Sequence, residues 1–455
     1  MKMLQRLTVL LFAVVLILPM VCFNFAPDSI SVIDNRELAE SPLTASGDFA
    51  TNVDNYVSDR LGFRDEFIKY YTILNDSLFD KMVHPSYVYG KDQYVFGPYL
   101  GLTVYNQFSD YHVAFANMVK QIQTYCESRN VPFLFVFNPA KPAIYSDKIA
   151  DGTNYNRSWV PLFLAELDAL NVNYVDNTVT MTELRSSGVD GYNKQYDAGH
   201  WNDIGAYYGT NAMLKRLHET NPSVYVIPQE EISVSEVLQT TLPVSEFPIY
   251  EYVPSVSLPT SATNIADKYS SLELNAGFKH FDYYVNEQRL SEGSPRTLVF
   301  QGSYMIGFGY KYLMHSLGEY IAVHDYQNVL DFDYYFNIFQ PECVIFEVAE
   351  YTLNDTYFDY EKMQVLQFNP AFATVEESDN YAMITPGAEE ITVETTDSLT
   401  TIRWMPSQDF QYVWIQLEEV HDMRLVNGVY EVTIDTARYD QFGGQLVVYA
   451  TTTDQ

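Results

Sequence analysis

The stretch TLVFQGSYMIGFGYKYLMHSL, residues 297–317, contains the pattern that decides the fold of this chain. TLVFQ has the length and the apolar character of a buried strand, and the residues from Tyr304 to Leu317 have the pattern of a helix. Only Gly302 and Ser303 separate the two segments, so the backbone must turn sharply there. A buried strand that leads straight into a helix is typical of α/β proteins with parallel strands.

Other segments repeat this alternation of strands and helices. The runs VPFLFVFNP, EYIAVH and ECVIFEVAE are largely apolar, as parallel strands covered on both faces are. These strands lie at residues 131–139, 319–324 and 342–350, and helical patterns lie at 109–129, 159–170 and 204–217. The predicted fold is therefore a three-layer α/β/α arrangement around a mainly parallel sheet.

Two regions depart from this alternation. Residues from about 222 to 295 are rich in Pro, Ser, Thr and Tyr and only weakly periodic, and we interpret them as an insertion or lid within a main unit of residues 28–380. From about Gly387 onward, five strand-like segments follow one another at short spacing. They predict a small, sandwich-like all-β domain at residues 386–455.

The N-terminus has the features of a membrane signal. Lys2 and Arg6 precede an uncharged apolar run from Leu7 to about Ala26, which has roughly the 20 residues that cross a bilayer. Basic residues on the N-terminal flank keep that end in the cytoplasm, so the rest of the chain should face outward. No cleavage site of the A-x-A type follows the run. Residues 1–27 are therefore predicted to be an uncleaved signal anchor in preference to a removed signal peptide.

The composition is globular and strongly acidic. Of the 455 residues, 47% are apolar, and the formal net charge of −33 argues against nucleic acid or an anionic membrane surface as a direct ligand. Three cysteines are too few for a disulfide framework. The sequence contains no HExxH, CxxC or P-loop motif, so neither a metal nor a diffusible cofactor is predicted.

Ser303 is the candidate nucleophile. Ligands of parallel α/β sheets bind at the carboxyl ends of the strands, which is where Ser303 follows TLVFQ. Gly302 permits a tight turn that leaves the Ser303 hydroxyl exposed, as in a nucleophile elbow. The backbone N–H groups of Ser303 and Tyr304 would then lie at a helix N-terminus and donate to an oxyanion. The alternative is that Ser303 only caps the helix.

The segment QYDAGHWNDIGA supplies a candidate base and its partner. Asp197 and His200 lie three residues apart in a loop, where the carboxylate can hold imidazole Nδ1 and leave Nε2 free to take a proton from a serine. The alternative is a polar loop with a structural histidine, in which Asn202 or Asp203 caps the following helix. Together with the serine, the pair favours a hydrolase or an acyltransferase.

The block DAGHWNDIGA resembles the last block of SGNH-type esterases and acyltransferases. Over roughly residues 30–355 the chain is similar to a membrane-associated branch of that family, which includes alginate O-acetyltransferases and DHHW-motif proteins. The similar segments are NRELAESP (35–42), DRLGFRDEFI (59–68), YVYGKDQYVFG (87–97), FLFVFNPAKPAIYSDKI (133–149), LVFQGSYMIGFG (298–309) and QPECVIFEVAEYTL (340–353).

The resemblance implies an SGNH-like fold in which Ser303 is the nucleophile, His200 the base and Asp197 its orienting carboxylate. It also implies transfer of acetyl groups to an exported polysaccharide, with the acyl donor delivered across the membrane by a multi-spanning acyltransferase. Two features depart from the branch. Gln301 and Gly302 precede the serine, where the family has an acid or threonine directly before it and glycine one position earlier. Two residues, and not one, separate the aspartate from the histidine.

Weaker candidates surround these three residues. Asn138 could supply an oxyanion donor or form a turn before Pro139, and Lys141 and Tyr145 could line a substrate groove or be ordinary loop residues. Trp201 could form a wall for a sugar ring or belong to the core. In the C-terminal domain, tryptophan and tyrosine side chains could stack on glycan, although strand tryptophans usually lie in the core. These side chains are Trp404, Tyr412 and Trp414.

Three functions stay open at the level of sequence. The first is an extracytoplasmic O-acyltransferase that acts on polysaccharide through a serine acyl-enzyme. The second is a carbohydrate esterase, which uses the same chemistry with water as the acceptor. The third is a non-catalytic glycan-binding or assembly scaffold, which the unusual Gln301–Gly302 pair keeps open.

Overall fold

The structure is a computed structural model that describes residues 2–26, 30–31, 36–79, 81–84, 87–97, 100, 107–243, 247–377 and 380–451. The predicted end of the anchor at residue 27 and the last four residues of the predicted domain 386–455 lie outside the described residues.

Among its described residues, the N-terminal part has three α-helices and two short strand pairs. The apolar helix α1 is the one helix in the described ranges that is long and apolar enough to cross a membrane, a criterion that a signal sequence also meets. Strands β3 and β4 pair antiparallel and form a hairpin around Gly90. The elements are α1 (Lys2–Val21), β1 (Ile30–Ser31), β2 (Arg36–Glu37), α2 (Phe49–Arg60), α3 (Arg64–Phe79), β3 (Val88–Tyr89) and β4 (Val95–Phe96).

An α/β unit follows, in which strands and helices alternate as the sequence predicts. Its first half contains α4 (Asp110–Glu127), β5 (Phe133–Asn138), α5 (Lys141–Ile144), α6 (Trp159–Ala169), β6 (Tyr174–Asp176), α7 (Asn177–Ser186), α8 (Asp203–Thr220), β7 (Ser233–Thr241) and β8 (Pro248–Ser257). Its second half contains β9 (Thr263–Asn264), β10 (Phe281–Val285), α9 (Glu287–Ser291), β11 (Arg296–Gln301), α10 (Tyr310–Ser316), β12 (Glu319–His324), α11 (Phe332–Phe339), β13 (Cys343–Ala349), α12 (Tyr360–Val365) and α13 (Phe372–Glu376).

The central sheet is mixed, so the prediction of a mainly parallel sheet was wrong. Its seven strands lie in the order β6-β5-β13-β11-β12-β10-β9. The first four pairings in this order are parallel, whereas β10 pairs antiparallel with both β12 and β9. The two antiparallel strands come from the weakly periodic region 222–295. β9 (TN) has only two residues and β10 (FDYYV) contains an aspartate and two tyrosines, so neither has the continuous apolar run of a buried parallel strand.

Alternate residues of the central strands face two helical layers. In β5, Phe133, Phe135 and Phe137 pack into the core with α4, α6 and α11, whereas Leu134 and Val136 pack into a second core with α7, α8 and α10. This alternation follows from the period of two along a strand. The unit therefore has the predicted three layers.

The C-terminal domain is a single antiparallel sheet that curves into a half-barrel, so the predicted sandwich was wrong. All seven strands form one continuous ladder in the order β14-β20-β17-β18-β19-β16-β15, whereas a sandwich needs two separate sheets face to face. The spacing of short strands is the same in both architectures. The elements are β14 (Ala382–Ile384), β15 (Ile391–Thr396), β16 (Leu399–Trp404), β17 (Tyr412–Gln416), β18 (Val420–Val426), β19 (Val429–Asp435), α14 (Thr436–Gln441) and β20 (Val447–Thr451).

A buried polar contact joins the half-barrel to the α/β unit. Asp422 of β18 accepts a hydrogen bond from Arg129 at 2.7 Å and another from the Tyr125 hydroxyl. The guanidinium of Arg129 also lies 3.5 Å from the centre of the Tyr125 ring. Since Asp422 is almost fully buried, its charge is stabilised by these partners in place of water.

Replacing Asp422 should therefore destabilise the protein strongly. Asp422→Ala leaves the Arg129 side chain, which is 16% exposed, without its carboxylate, and we expect the free energy of unfolding to fall by about 3 kcal/mol. Urea denaturation of the full chain measures this change. The control is Glu394→Ala, which breaks the Arg403–Glu394 pair where the glutamate is 63% exposed and should cost less than about 1 kcal/mol. Equal losses in the two variants would contradict the prediction.

Candidate active site

Ser303 lies at the carboxyl end of β11, at the junction with a helix. The strand ends at Gln301, and the Gly302 carbonyl accepts the N–H groups of Met305 and Ile306 at 3.2 and 3.1 Å. Ser303 therefore occupies the first helical turn, which continues through a π-helical segment into α10. This is the strand–turn–helix geometry that the sequence predicts for residues 297–317.

A tight turn fixes Asp197 and His200 relative to each other. Asp197 has φ 64°, in the left-handed region that aspartate tolerates better than most residues. Its Oδ1 atom accepts the backbone N–H groups of Gly199 and His200 at 3.1 and 3.0 Å. The same carboxylate lies 2.9 Å from His200 Nδ1. Asn202 caps α8 by accepting the Gly205 N–H at 2.9 Å, which confirms the predicted cap.

The two segments meet at a short hydrogen bond. His200 Nε2 lies 2.8 Å from Ser303 Oγ, although the two residues are 103 positions apart in the sequence. The side chains of His200 and Asp197 are 27% and 15% exposed, so solvent and ligands can reach the group. The atoms of Asp197, His200 and Ser303 thus form one continuous hydrogen-bonded chain.

Burial and charge act in opposite directions on this pair. Burial opposes ionisation of both groups, but the Asp197 charge and its hydrogen bond outweigh burial and raise the pKa of His200 above its ordinary value. The His200 charge and the hydrogen bonds from His200 and Gly199 likewise hold the pKa of Asp197 below its usual value. A carboxylate that stays ionised stabilises the imidazolium that forms when His200 takes a proton.

Tyr351, which no sequence motif indicated, also contacts Ser303 and His200. Its hydroxyl lies 3.1 Å from Ser303 Oγ and 2.9 Å from His200 Nε2. Tyr351 follows β13 as Ser303 follows β11, so both come from the carboxyl edge of the sheet. The position of Tyr351 shortly after the apolar run CVIFEVA is the sequence feature that could have indicated it.

Tyr304 and Trp201 support the site from within the core, and both are fully buried. The Tyr304 hydroxyl donates to the Gly199 carbonyl at 2.7 Å and also contacts the Pro139 carbonyl at 2.9 Å. Trp201 Nε1 donates to the Tyr304 carbonyl at 3.1 Å. These contacts tie the Asp197 loop to the helix that begins at Ser303, and they leave Trp201 no exposed face for a sugar.

Asn138 and Gly302 share a buried acid, Glu347, that the sequence analysis also missed. Asn138 donates to Glu347 Oε1 at 2.6 Å, and the Gly302 N–H donates to Oε2 at 2.8 Å. Burial, and then the nearby Asp325 carboxyl, raise the pKa of Glu347 to about 8. A single glutamate inside an apolar strand was the signal for this residue. The side-chain amide of Asn138 and the backbone N–H of Gly302 are therefore both bound to Glu347.

Lys141 and Tyr145 lie beneath the site, fully buried. Lys141 Nζ donates to the carbonyls of Lys194 and Asp197 at 2.9 and 3.3 Å, and burial lowers its pKa to about 7. The Tyr145 hydroxyl donates to Asp190 at 2.6 Å. Lys141 thereby holds the Asp197 loop from below.

The aromatic candidates of the half-barrel are mostly inaccessible. Trp404 and Trp414 are buried, Trp414 donates to the Pro370 carbonyl, and only Tyr412 is partly exposed. Within the described part of the chain, no group of three or more His, Cys, Asp or Glu side chains is arranged to hold a metal ion.

Residues 90–244 match the family model described as the SGNH hydrolase-like domain of acetyltransferase AlgX. The resemblance to the SGNH-like acetyltransferases is confirmed. The matched segment contains Asp197 and His200 and ends before Ser303, which the fold alone brings to them. No curated protein matches the chain.

Several solved structures are similar at low identity. PatB1 of Bacillus cereus is 13% identical, covers 58% of this chain and 96% of its own, and has a TM-score of 0.44. The O-acetyltransferase domain of Pseudomonas putida AlgJ is 15% identical over 62% of this chain and 99% of its own, with a TM-score of 0.42. A DHHW family protein from Eubacterium siraeum is 15% identical over 64% of this chain and 98% of its own, with a TM-score of 0.44.

If His200 is the base, the Asp197 contact predicts a shift in the pH profile of kcat/KM. His200 must be neutral to accept a proton, so activity should rise with pH through an apparent pKa above the ordinary histidine value. Asp197→Asn removes the charge that raises the pKa of His200, so this limb should move to lower pH and the plateau should fall by about 10²–10⁴-fold.

The control is Asp168→Asn, which alters an aspartate that accepts only the Tyr174 hydroxyl on the outer surface. Its acid limb should match that of the unmodified protein. An Asp197→Asn profile with an unmoved acid limb would exclude His200 as the titrating base.

Tyr351 should contribute to the rate and little to folding. If its hydroxyl donates to the developing oxyanion, Tyr351→Phe should lower kcat by about 10²–10³-fold, because that hydrogen bond strengthens in the transition state. Steady-state hydrolysis of p-nitrophenyl acetate measures the change. Tyr310→Phe is the matched control, because Tyr310 is a partly buried tyrosine that packs against the second core. A loss of less than tenfold in Tyr351→Phe would show that its hydroxyl only fills space.

Proposed function

We propose that the protein is an extracytoplasmic O-acyltransferase that transfers an acyl group, most simply acetyl, to a hydroxyl of a cell-surface or exported polysaccharide. Ser303 is the nucleophile, His200 the base and Asp197 the orienting carboxylate. The observation that carries this proposal is the hydrogen-bonded chain from Asp197 through His200 to Ser303 at the carboxyl edge of the sheet.

In the first half-reaction, Ser303 Oγ attacks the carbonyl carbon of the acyl donor while His200 Nε2 takes the hydroxyl proton. The Ser303 N–H at the helix N-terminus and the Tyr351 hydroxyl, which lies 3.1 Å from Ser303 Oγ, then donate to the resulting oxyanion. The Gly302 N–H is already bound to Glu347 and is not available for this purpose. When the tetrahedral intermediate collapses, the leaving group departs with the proton from His200, and an acyl-serine ester remains.

In the second half-reaction, a sugar hydroxyl attacks the acyl-serine. His200 accepts the proton of that hydroxyl and returns it to Ser303 Oγ as the ester breaks. The chemistry needs no metal and no diffusible cofactor. Water is the competing nucleophile, so the same acyl-enzyme also supports the second candidate, a carbohydrate esterase. The partial exposure of His200 keeps that alternative open.

The matched acetyltransferase model and the resemblance to alginate O-acetyltransferases support acetyl as the acyl group and polysaccharide as the acceptor. We assign residues 1–27 as a signal anchor, 28–380 as the catalytic unit with an insertion at about 222–295, and 386–455 as the C-terminal domain. An anchored enzyme with its body outside the cytoplasm would receive the acyl group from a multi-spanning membrane acyltransferase. The length and hydropathy of α1 support this arrangement.

The acyl-enzyme can be tested on the full chain in detergent with p-nitrophenyl acetate. Intact mass should show an adduct of about 42 Da, the mass of an added acetyl group, because the serine ester persists until an acceptor arrives. The adduct should be absent in Ser303→Ala and present in the matched control Ser291→Ala, which changes a surface serine. Acetyl transfer to added oligosaccharide in preference to water favours the transferase.

Three other outcomes would contradict the proposed acyltransferase. An adduct that persists in Ser303→Ala would place the nucleophile elsewhere. Acetyl release to water at the same rate with and without oligosaccharide would favour the esterase. The absence of both adduct and turnover in the unmodified protein would favour the non-catalytic scaffold.

A further inference from the structure

Helix α3 presents an uncovered apolar face. Five side chains form this outer face of α3, and each is between 52% and 66% exposed: Phe67, Tyr70, Tyr71, Leu74 and Leu78. At 100° per residue they fall within an arc of about 100°, and the charged residues of α3 lie outside that arc. A contiguous apolar face of this kind marks an interaction surface.

The opposite side of α3 packs toward the candidate active site. Thr72 donates to the carbonyls of Ile68, at 2.8 Å, and of Val83. Ile73 packs against a small buried cluster that includes Tyr87 and Ala198. Since Ala198 lies between Asp197 and His200, α3 and the reactive loop share one core.

The end of α1 rests on the corner between α2 and α3. The Gly62 N–H donates to the Pro19 carbonyl at 3.0 Å, and the Asn24 N–H donates to the Arg60 carbonyl at 2.9 Å. Gly62 has no room for a side chain, because an added Cβ would lie 2.5 Å from Cys22 Cβ. If α1 crosses a bilayer, α3 therefore starts at the membrane surface.

We propose that the outer face of α3 lies in the interfacial layer of the bilayer that α1 crosses. This places the reactive loop about one helix diameter, ~10 Å, from the lipid surface. The proposal rests on the signal anchor in the proposed function and deepens it, since an acyl group that arrives at the membrane would meet the active site directly above it.

The chemistry of the face fits lipid and not a charged partner. Tyrosine and phenylalanine rings favour the boundary between headgroups and acyl chains. Helices α2 and α3 together carry three basic and five acidic side chains, and the whole chain has a net charge of −33, so attraction to anionic headgroups does not drive the contact. Insertion should therefore occur in phosphatidylcholine and persist at high salt, where surface charges are screened.

Tyr71→Trp provides a probe for this placement. The four native tryptophans are at most 4% exposed, so a tryptophan at position 71 reports its own surroundings. The full chain is reconstituted in phosphatidylcholine vesicles that contain either no quencher or a lipid with a nitroxide near the headgroup. The fluorescence introduced by Tyr71→Trp should be quenched by the nitroxide lipid, protected from aqueous iodide and blue-shifted. Val365→Trp is the matched control, because Val365 is 80% exposed on α12, and it should show the opposite pattern.

A second variant separates the contact from folding. Phe67→Ser with Leu74→Ser in the Tyr71→Trp background should lose nitroxide quenching and regain iodide access, while the unfolding temperature stays the same. These exposed side chains make little contribution to the core.

The failure of the anchor can be distinguished from the failure of this contact. Release of the chain from vesicles by alkaline carbonate would refute the anchor in the proposed function. Retention of the chain, with iodide quenching equal at positions 71 and 365, would overturn the placement of α3 and leave the anchor intact.

Discussion

Parallel pairing of β11 with β12 and β13 places Ser303 and Tyr351 on one edge of the sheet. The register aligns Phe300 with Val323 on one side and with Phe346 on the other, so the three strands end at nearly the same level. Parallel strands deliver their carboxyl ends to a common edge, where the chain leaves the apolar interior. Ser303 and Tyr351 emerge there from separate strands. A shift of one residue in either register would turn every side chain of that strand to the other face.

The loop with Asp197 and His200 is held chiefly by polar groups, since a loop lacks the regular hydrogen bonds of a helix or strand. Lys141 binds its carbonyls from below. Glu251 of β8 accepts the N–H groups of Lys194, Gln195 and Tyr196 at 2.7, 2.9 and 2.6 Å. The β7–β8 hairpin, which the sequence indicates only as a possible lid, thus braces the approach to Asp197. Burying Lys141 is costly, as its lowered pKa shows, and its three carbonyl partners offset that cost.

The buried acid behind Ser303 distinguishes this site from a simple oxyanion hole. Glu347 binds the Gly302 N–H and the side chain of Asn138, which the sequence suggested as an oxyanion donor. The pKa of Glu347, raised to about 8, indicates that burial competes with these hydrogen bonds for its charge. Gln301, which stands where the sequences that this chain resembles have glycine, is itself buried and accepts the Tyr320 hydroxyl. The acid next to the turn at Gly302 is therefore Glu347 of β13, and not a residue directly before Ser303.

The sequence by itself determined the local features: the apolar runs that became β5, β11, β12 and β13, the helix that follows each tight turn, and the residue types at the turns. These features depend on periodicity and on backbone preferences over a few residues. Asp197, His200 and Ser303 could be proposed because their chemistry is uncommon in that local setting. Only the tertiary structure decided that β10 pairs antiparallel with β12 and β9, that seven C-terminal strands form one ladder, and that Tyr351 and Glu347 lie next to the turn at Ser303. Each of these outcomes depends on contacts between residues far apart in the chain, and a local pattern is the same whichever distant strand it meets.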